Sequence, residues 1–461
     1  MTEDCYEVWE LDNDFQAKAK ETEPVAPPCP TTGLMQPILN GSYRTSSKRS
    51  LFPTSTVESR LRPTLWLLQL FGFFPLSVNA GASKFTRSVV FIFFTLYIIG
   101  VGSVNMYLFL VNIQTTALYI QMFDLLHAQT ISSIINGLRP FINLVAMLIF
   151  WFHAGRHRKF LKQLTMIDRV FSNEFGASPK IRQLNIFAVC CTFAAIFIMS
   201  SARMIEFHYM GEQLGIHWLI EFSLVMVPLL SVWIVIPLIY FEVCNRLIRF
   251  WCRQLQRALA RDKMDDRRSI KFYYELFLKL TDVQYHLGCV FNPFILFSLG
   301  WSVFTLCLTI YFITQSATHF PPSPDHIEGA PTGQEWVNIV SFNLMYGGLQ
   351  VLLAMGCICI ICFTGTRTNE ETRNILKDLL NNLPEEDLAS DRFYVTCFIY
   401  KMNTQYMWGI TVWRAFPLER SAFFTLVSLI LTYAFLLLKF RQGRVPLAPN
   451  ANSTTTESQI V

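Results

Sequence analysis

Residues 88–113 read SVVFIFFTLYIIGVGSVNMYLFLVNI, an apolar run without one charged side chain. About 20 helical residues cross the hydrocarbon core of a bilayer, and in lipid only a helix or a closed barrel satisfies every backbone N–H and C=O. The run therefore predicts a membrane-spanning helix. Six further stretches have similar length and composition: 131–152, 184–201, 217–240, 289–313, 337–364 and 422–438. The fold class that follows is an all-α membrane protein with seven transmembrane helices.

The segments between the runs orient them. Lys and Arg number 9 before the first span, then 0, 7, 1, 10, 0 and 7 in successive loops, and 3 in the tail. By the positive-inside rule the second, fourth and sixth loops face the cytoplasm, which predicts a cytoplasmic N-terminus and an extracellular C-terminus. Lys439, Arg441 and Arg444 in the tail are the dissenting cluster. The formal net charge of +5 is thus a topology signal. Its carriers are dispersed over loops without a nucleic-acid motif, so membrane lipid and no nucleic acid is the expected partner.

Residues 1–62 are polar, contain Pro27, Pro28 and Pro30, and carry no sustained period. They read as a disordered cytoplasmic tail without a cleavable leader. The helical domain is expected over 63–440 and an extracellular tail over 441–461. At its start LWLLQLFGFFPL, residues 65–76, is too short to span and reads as an interfacial helix.

Two cytoplasmic intervals carry helical pattern. In 241–288 Arg246, Arg249, Arg253, Arg257 and Arg261 recur at steps of three and four, with Leu247, Phe250, Trp251, Leu255 and Leu259 on another face. The arginine face fits either a solvated surface or a contact with anionic lipid headgroups. A second pattern runs from Asn374 to Leu383. Such extensions could pack together into an intracellular anchor domain.

Ionisable residues inside spans are costly and are functional candidates for that reason. Arg139 in the second span and Glu221 in the fourth sit at similar depth, and both are candidate ligand-binding residues; the alternative is that Arg139 snorkels to the interface and the two never meet. In the seventh span Thr425, Ser428, Thr432, Leu436 and Lys439 follow steps of 3, 4, 4 and 3, so they share one face. Such a face either lines an aqueous pore in a multimer or packs helices together through small hydroxyl residues. His153 and His157 lie four apart without a second histidine pair, and Cys357, Cys359 and Cys362 diverge around a helix, so neither set predicts a metal site. No phosphate loop or nucleophile motif occurs. No cofactor and no enzymatic activity are expected.

In the seventh span Thr432 and Tyr433 are followed by AFLLL, Lys439 and Phe440, and the domain opens on LFGFFP at 70–75. In these features and in its layout over about 64–440 the chain resembles the gustatory receptors of insects and other invertebrates. The hallmark of that family is Thr-Tyr, five mostly apolar residues, then Gln-Phe; Lys439 stands where the family has Gln. The resemblance implies a homo- or heterotetrameric ligand-gated cation channel in the plasma membrane of sensory neurons, with related receptors as possible partners and a small-molecule stimulus. It also implies a pore lined by the last helix, an anchor domain of cytoplasmic helical extensions and a ligand pocket in the outer half of the remaining helices. Some nematode members of the family respond to ultraviolet light or hydrogen peroxide, which is the alternative stimulus class. A G-protein-coupled receptor would need the opposite orientation and lacks its motifs here.

Overall fold

The computed structural model describes residues 56–73, 84–122, 128–214, 234–265, 270–318, 333–381, 396, 410–412 and 416–442. Glu221 and most of the expected fourth span lie outside the described residues. Ten helices follow in order among the described residues: α1 (Val57–Arg60), α2 (Arg62–Leu70), α3 (Lys84–Met122), α4 (Ala128–Phe152), α5 (Ala154–Phe175), α6 (Ile181–Leu214), α7 (Val235–Asp265), α8 (Ile270–Thr318), α9 (Gly333–Asn381) and α10 (Arg420–Gln442). A two-stranded antiparallel hairpin, β1 (Thr411–Val412) and β2 (Phe416–Pro417), precedes α10.

Five stretches within these helices are long and apolar enough to cross a membrane, Ser88–Leu118, Thr130–Phe152, Ile181–Ser201, Phe272–Thr314 and Asn343–Ile375, and Arg420–Leu436 is a shorter apolar one. Helices α8 and α9 contain 49 residues each. At 1.5 Å per residue such a helix is about 70 Å long, more than twice the hydrocarbon thickness, so half of each projects beyond the membrane. Sequence explains the change of environment along one rod. The part of α9 before Thr364 is mostly apolar, and the shorter part after it alternates Thr368, Thr372 and Ile375, all buried, with exposed Arg367 and Arg373.

Helix α8 is the centre of the bundle, in contact with α4, α5, α7, α9, α10 and β1. The projecting parts of α8 and α9, with α7, bury Leu247, Trp251, Leu255, Phe277, Leu280 and Ile375 in the same continuous core as Phe150, Phe291 and Ile358 of the expected spans. Fully burying one such side chain is worth about 1.5–3 kcal/mol, so the projecting layer has an apolar reason to assemble. Between α8 and α9 the approach is close at Gly347, where a Cβ would stand 2.4 Å from Ile313.

The expectation of a disordered tail through residue 62 is corrected at its end. Thr56 caps α1, Asp168 of α5 pairs with Arg60, and Val57 and Leu61 are buried. Six residues that look polar and unstructured in isolation are ordered because a helix from another part of the chain supplies the partner. Helix α2 is held on one face by the bundle: Leu65 and Leu68 are buried, α2 contacts α6 and α7, and Thr64 donates to Asn185 at 2.8 Å, while Trp66 and Leu70 stand exposed on the other.

Candidate functional site

A cavity of about 380 Å³ opens between α4, α6, α7, α8 and α9. Its walls are mainly apolar, with Phe187, Ile198, Leu238 and Trp301 among them, and its polar groups are few. Arg139, half-buried on α4, donates from Nη2 to Gln350 Oε1 of α9 at 2.8 Å. Asn143, one turn along α4, also lines the space and donates to Asn105 of α3 at 3.4 Å. Ser302 and Thr305 of α8 complete the polar set near mid-depth. The shape is that of a small-molecule site: concave, mostly apolar, with a few directed polar groups.

The cavity extends from Arg139 and Met199 toward the basic loops as far as Glu242 of α7. One carboxylate there gathers three donors. Oε1 accepts from Arg246 Nε at 2.6 Å and from Arg249 Nη2 at 2.7 Å, and Oε2 accepts from the Thr364 hydroxyl at 2.7 Å. Burial by itself would raise the Glu242 pKa, but the bond from Arg246, the Arg249 charge and the Thr364 hydroxyl outweigh it and hold the carboxyl below its usual range. The arginine face of the sequence is therefore divided. Arg249 is 3% exposed, and Arg246 lies over the Phe187 ring at 3.8 Å, whereas Arg257 and Arg261 stand in the open.

The same layer holds His157, buried on α5, at 2.7 Å from the Tyr240 hydroxyl. Burial, and secondarily the neighbouring Arg158 charge, lower its pKa to about 3, so the imidazole is neutral. It is a packed core group, and His153 bonds to its own helix at Ile149. Asn369 of α9 anchors the hairpin: its Nδ2 donates to the carbonyls of Ile410 and Leu418, each at 3.1 Å, and its Oδ1 accepts from Ile410 N at 2.7 Å. At Gly365, one turn earlier, a Cβ would meet Leu418 at 2.5 Å. The chain entering α10 is thereby fixed to α9 at Gly365 and Asn369.

Helix α10 packs on α8 and α9 through Phe423, Leu426, Ile430 and Ala434. Thr425, Ser428, Thr432 and Leu436 each stand two residues beyond one of these, about 200° around a helix, and so occupy the far side. All four, and Lys439, are exposed. The hydroxyls of Thr425 and Thr432 donate to the carbonyls of Ser421 and Ser428, at 3.0 and 2.8 Å, in their own helix. Tyr433 is exposed beside them, and the Phe440 backbone continues the helix.

Of the two charged candidates in the spans, Arg139 is on the cavity wall with Gln350 as its partner, and Glu221 is outside the described residues. Sequence pattern alone does not single out Gln350 or Asn143. Gln350 and Asn143 are uncharged and common enough in spans to attract no notice. Glu242 does carry a signal: it lies four and seven residues before Arg246 and Arg249, on one helix face, two residues past the apparent end of the span.

A polytopic helical bundle with an internal cavity of small-molecule size, extended by a packed helical layer beyond the membrane, is the architecture of a membrane receptor. The chain belongs to the 7tm chemosensory receptor family, whose model matches residues 61–443. It is 38% identical over 425 residues to a Caenorhabditis elegans protein named Probable G-protein coupled receptor egl-47, which covers 89% of this chain and 81% of that protein. Among solved structures it is similar to the insect olfactory receptor OR5 from Machilis hrabei, with a TM-score of 0.50 at 15% identity over 82% of this chain and 97% of that one. A structure of the same receptor in complex with eugenol gives 0.48 at 14% identity, over 84% and 98%.

Proposed function

We propose that this protein is a subunit of a ligand-gated cation channel that detects a chemical stimulus, with its N-terminus in the cytosol, its C-terminus outside and four subunits around one pore. The observation that carries the reading is the direction of the polar face of α10. Thr425, Ser428, Thr432, Leu436 and Lys439 point away from the chain's own core, and a row of hydroxyls is a poor surface for lipid and a good one for water and ions. Bonding to carbonyls of their own helix holds the Thr425 and Thr432 hydroxyls in place and leaves their lone pairs available. The stimulus that suits the cavity is a small, mostly apolar molecule with one acceptor oxygen, received by Arg139 and Gln350, with Glu221 as a second contact from the fourth span. The relative bears the name of a G-protein-coupled receptor; the 24 basic residues on the second, fourth and sixth loops, against 1 on the others, support the opposite orientation.

Expression of the chain in a heterologous cell, with a stimulus panel that includes light and hydrogen peroxide, tests the proposal. Stimulus-evoked cation current is the expected result. Four Lys439 ammonium groups would converge at the mouth of such a pore and repel cations, so Lys439→Gln should raise conductance or shift the reversal potential in ionic gradients. Identical permeability and conductance in that variant at normal surface expression would remove this face of α10 from the pore.

A further inference from the structure

Beyond the ligand cavity, the bundle has two adjoining hollows at its basic-loop end. The first, about 690 Å³, lies between the 176–180 turn, α7 and α9, and its described lining contains Lys180, Arg246, Arg249, Arg253 and Arg367 with no carboxylate. The second, about 630 Å³, lies between α7, α9 and α10, and carries Phe363, Phe423 and Phe424. Arg249 and Arg367 line both. We propose that this pair of hollows is a binding site for an anionic phospholipid, its phosphorylated headgroup in the first hollow and an acyl chain along the aromatic side chains of the second.

The charge is not balanced internally. Among the described residues Arg246 and Arg249 share Glu242, and Arg253 reaches Glu371 at 3.2 Å, so two carboxylates answer the five cations of the first hollow; in the second, Arg420 is paired with Glu370 at 2.9 Å. Lys180 and Arg367 are exposed and have no carboxylate partner among the described residues. Arg249 adds an independent sign: its side chain is 4% exposed, and its buried Nε finds no acceptor among the described residues. A guanidinium held in place on one side and short of an acceptor is suited to a phosphate oxygen.

Position selects the lipid as the source of that phosphate. The first hollow meets the start of the span in α6 at Ile181, and the second adjoins Thr364 and Arg420, where α9 leaves its apolar half and α10 begins. Phe363 and Phe424 are each 69% exposed beside it, an apolar surface of no use to a soluble ion. Basic pockets between spans on the cytoplasmic side suit anionic headgroups. The site would bridge α7, α9 and α10, and it stands whether or not α10 lines a pore.

The test is a titration of the full chain in phosphatidylcholine nanodiscs doped with a phosphatidylinositol bisphosphate, with bound lipid read by native mass spectrometry. The double variant Lys180→Gln/Arg367→Gln should weaken binding about tenfold or more, and Lys180→Gln alone about threefold, which keeps the test available should the double variant fail to fold. Arg257→Gln/Arg261→Gln, on the open face of the same α7, should change it less than twofold. Wild-type affinity in the Lys180 and Arg367 variants, or an equal loss in the Arg257/Arg261 pair, would overturn the site. Soluble inositol trisphosphate should bind at least about tenfold more weakly than the lipid; equal affinity would overturn the phospholipid assignment.

Discussion

The cavity around Arg139 and the layer around Glu242 share one wall of α7 yet handle polar groups in opposite ways. In the cavity, one guanidinium is tethered among the described residues by one neutral amide, Gln350, and the surrounding wall is mainly apolar. At the basic-loop end, one carboxylate takes three donors, His157 meets Tyr240, and Asn369 makes three bonds to the hairpin. A single bond with room beside it can exchange its partner for a ligand. A saturated network resists change because each member, if orphaned, bears a desolvation cost. The difference separates a region suited to responding from one suited to holding helices together.

Substitution at Glu242 should produce the largest effect. Glu242→Ala leaves the Arg249 charge buried without its counter-ion, and removing one partner of a buried pair costs about 3–5 kcal/mol. Loss of surface expression and a lower melting temperature in detergent are expected, with recovery in Glu242→Ala/Arg249→Met. Wild-type melting in the single variant would break the distinction between the two regions.

A smaller effect should appear with pH. Unfolded, His157 takes up a proton below about pH 6.5; folded, it refuses one until about pH 3. The unfolded state thus binds more protons in that window, and stability falls as pH drops through it, by about 2 kcal/mol at about pH 5. Melts of wild type and His157→Gln across this range check the sign: the variant should lose less on acidification. Parallel slopes would mean that water reaches the imidazole.

Arg139→Ala should have the smallest effect on stability, under about 1 kcal/mol, because its one bond among the described residues is to a neutral amide beside a cavity. Its effect belongs to function: a shifted dose response at normal surface level. A melt shifted as far as that of Glu242→Ala, with the response unchanged, would make Arg139 part of the scaffold.

Much of the fold is legible in the chain itself. Long uncharged runs have few physical outcomes, so the described spans follow from them, and the amphipathic pattern of α7 is readable from its period; the charged helix α5 and the short α1 are not. The site is legible only in part. Arg139 announces itself as a charge inside a span, but Gln350 lies 211 positions away and matters only because α4 and α9 meet. The order of residues 57–62 is hidden for a related reason: the Asp168 carboxylate and the core that fix them belong to distant helices.

By itself the sequence determined where the chain turns apolar, which loops carry the cations, and that Thr425, Ser428, Thr432, Leu436 and Lys439 share a face; these follow from transfer energies and from the 3.6-residue period. Only the tertiary structure decided that this face points outward, that Arg249 is buried while Arg257 is not, and that Arg139 and Glu242 line one cavity. Periodicity places residues on sides of a helix, but which side is covered depends on the neighbours, and those are set by contacts between residues far apart in the chain.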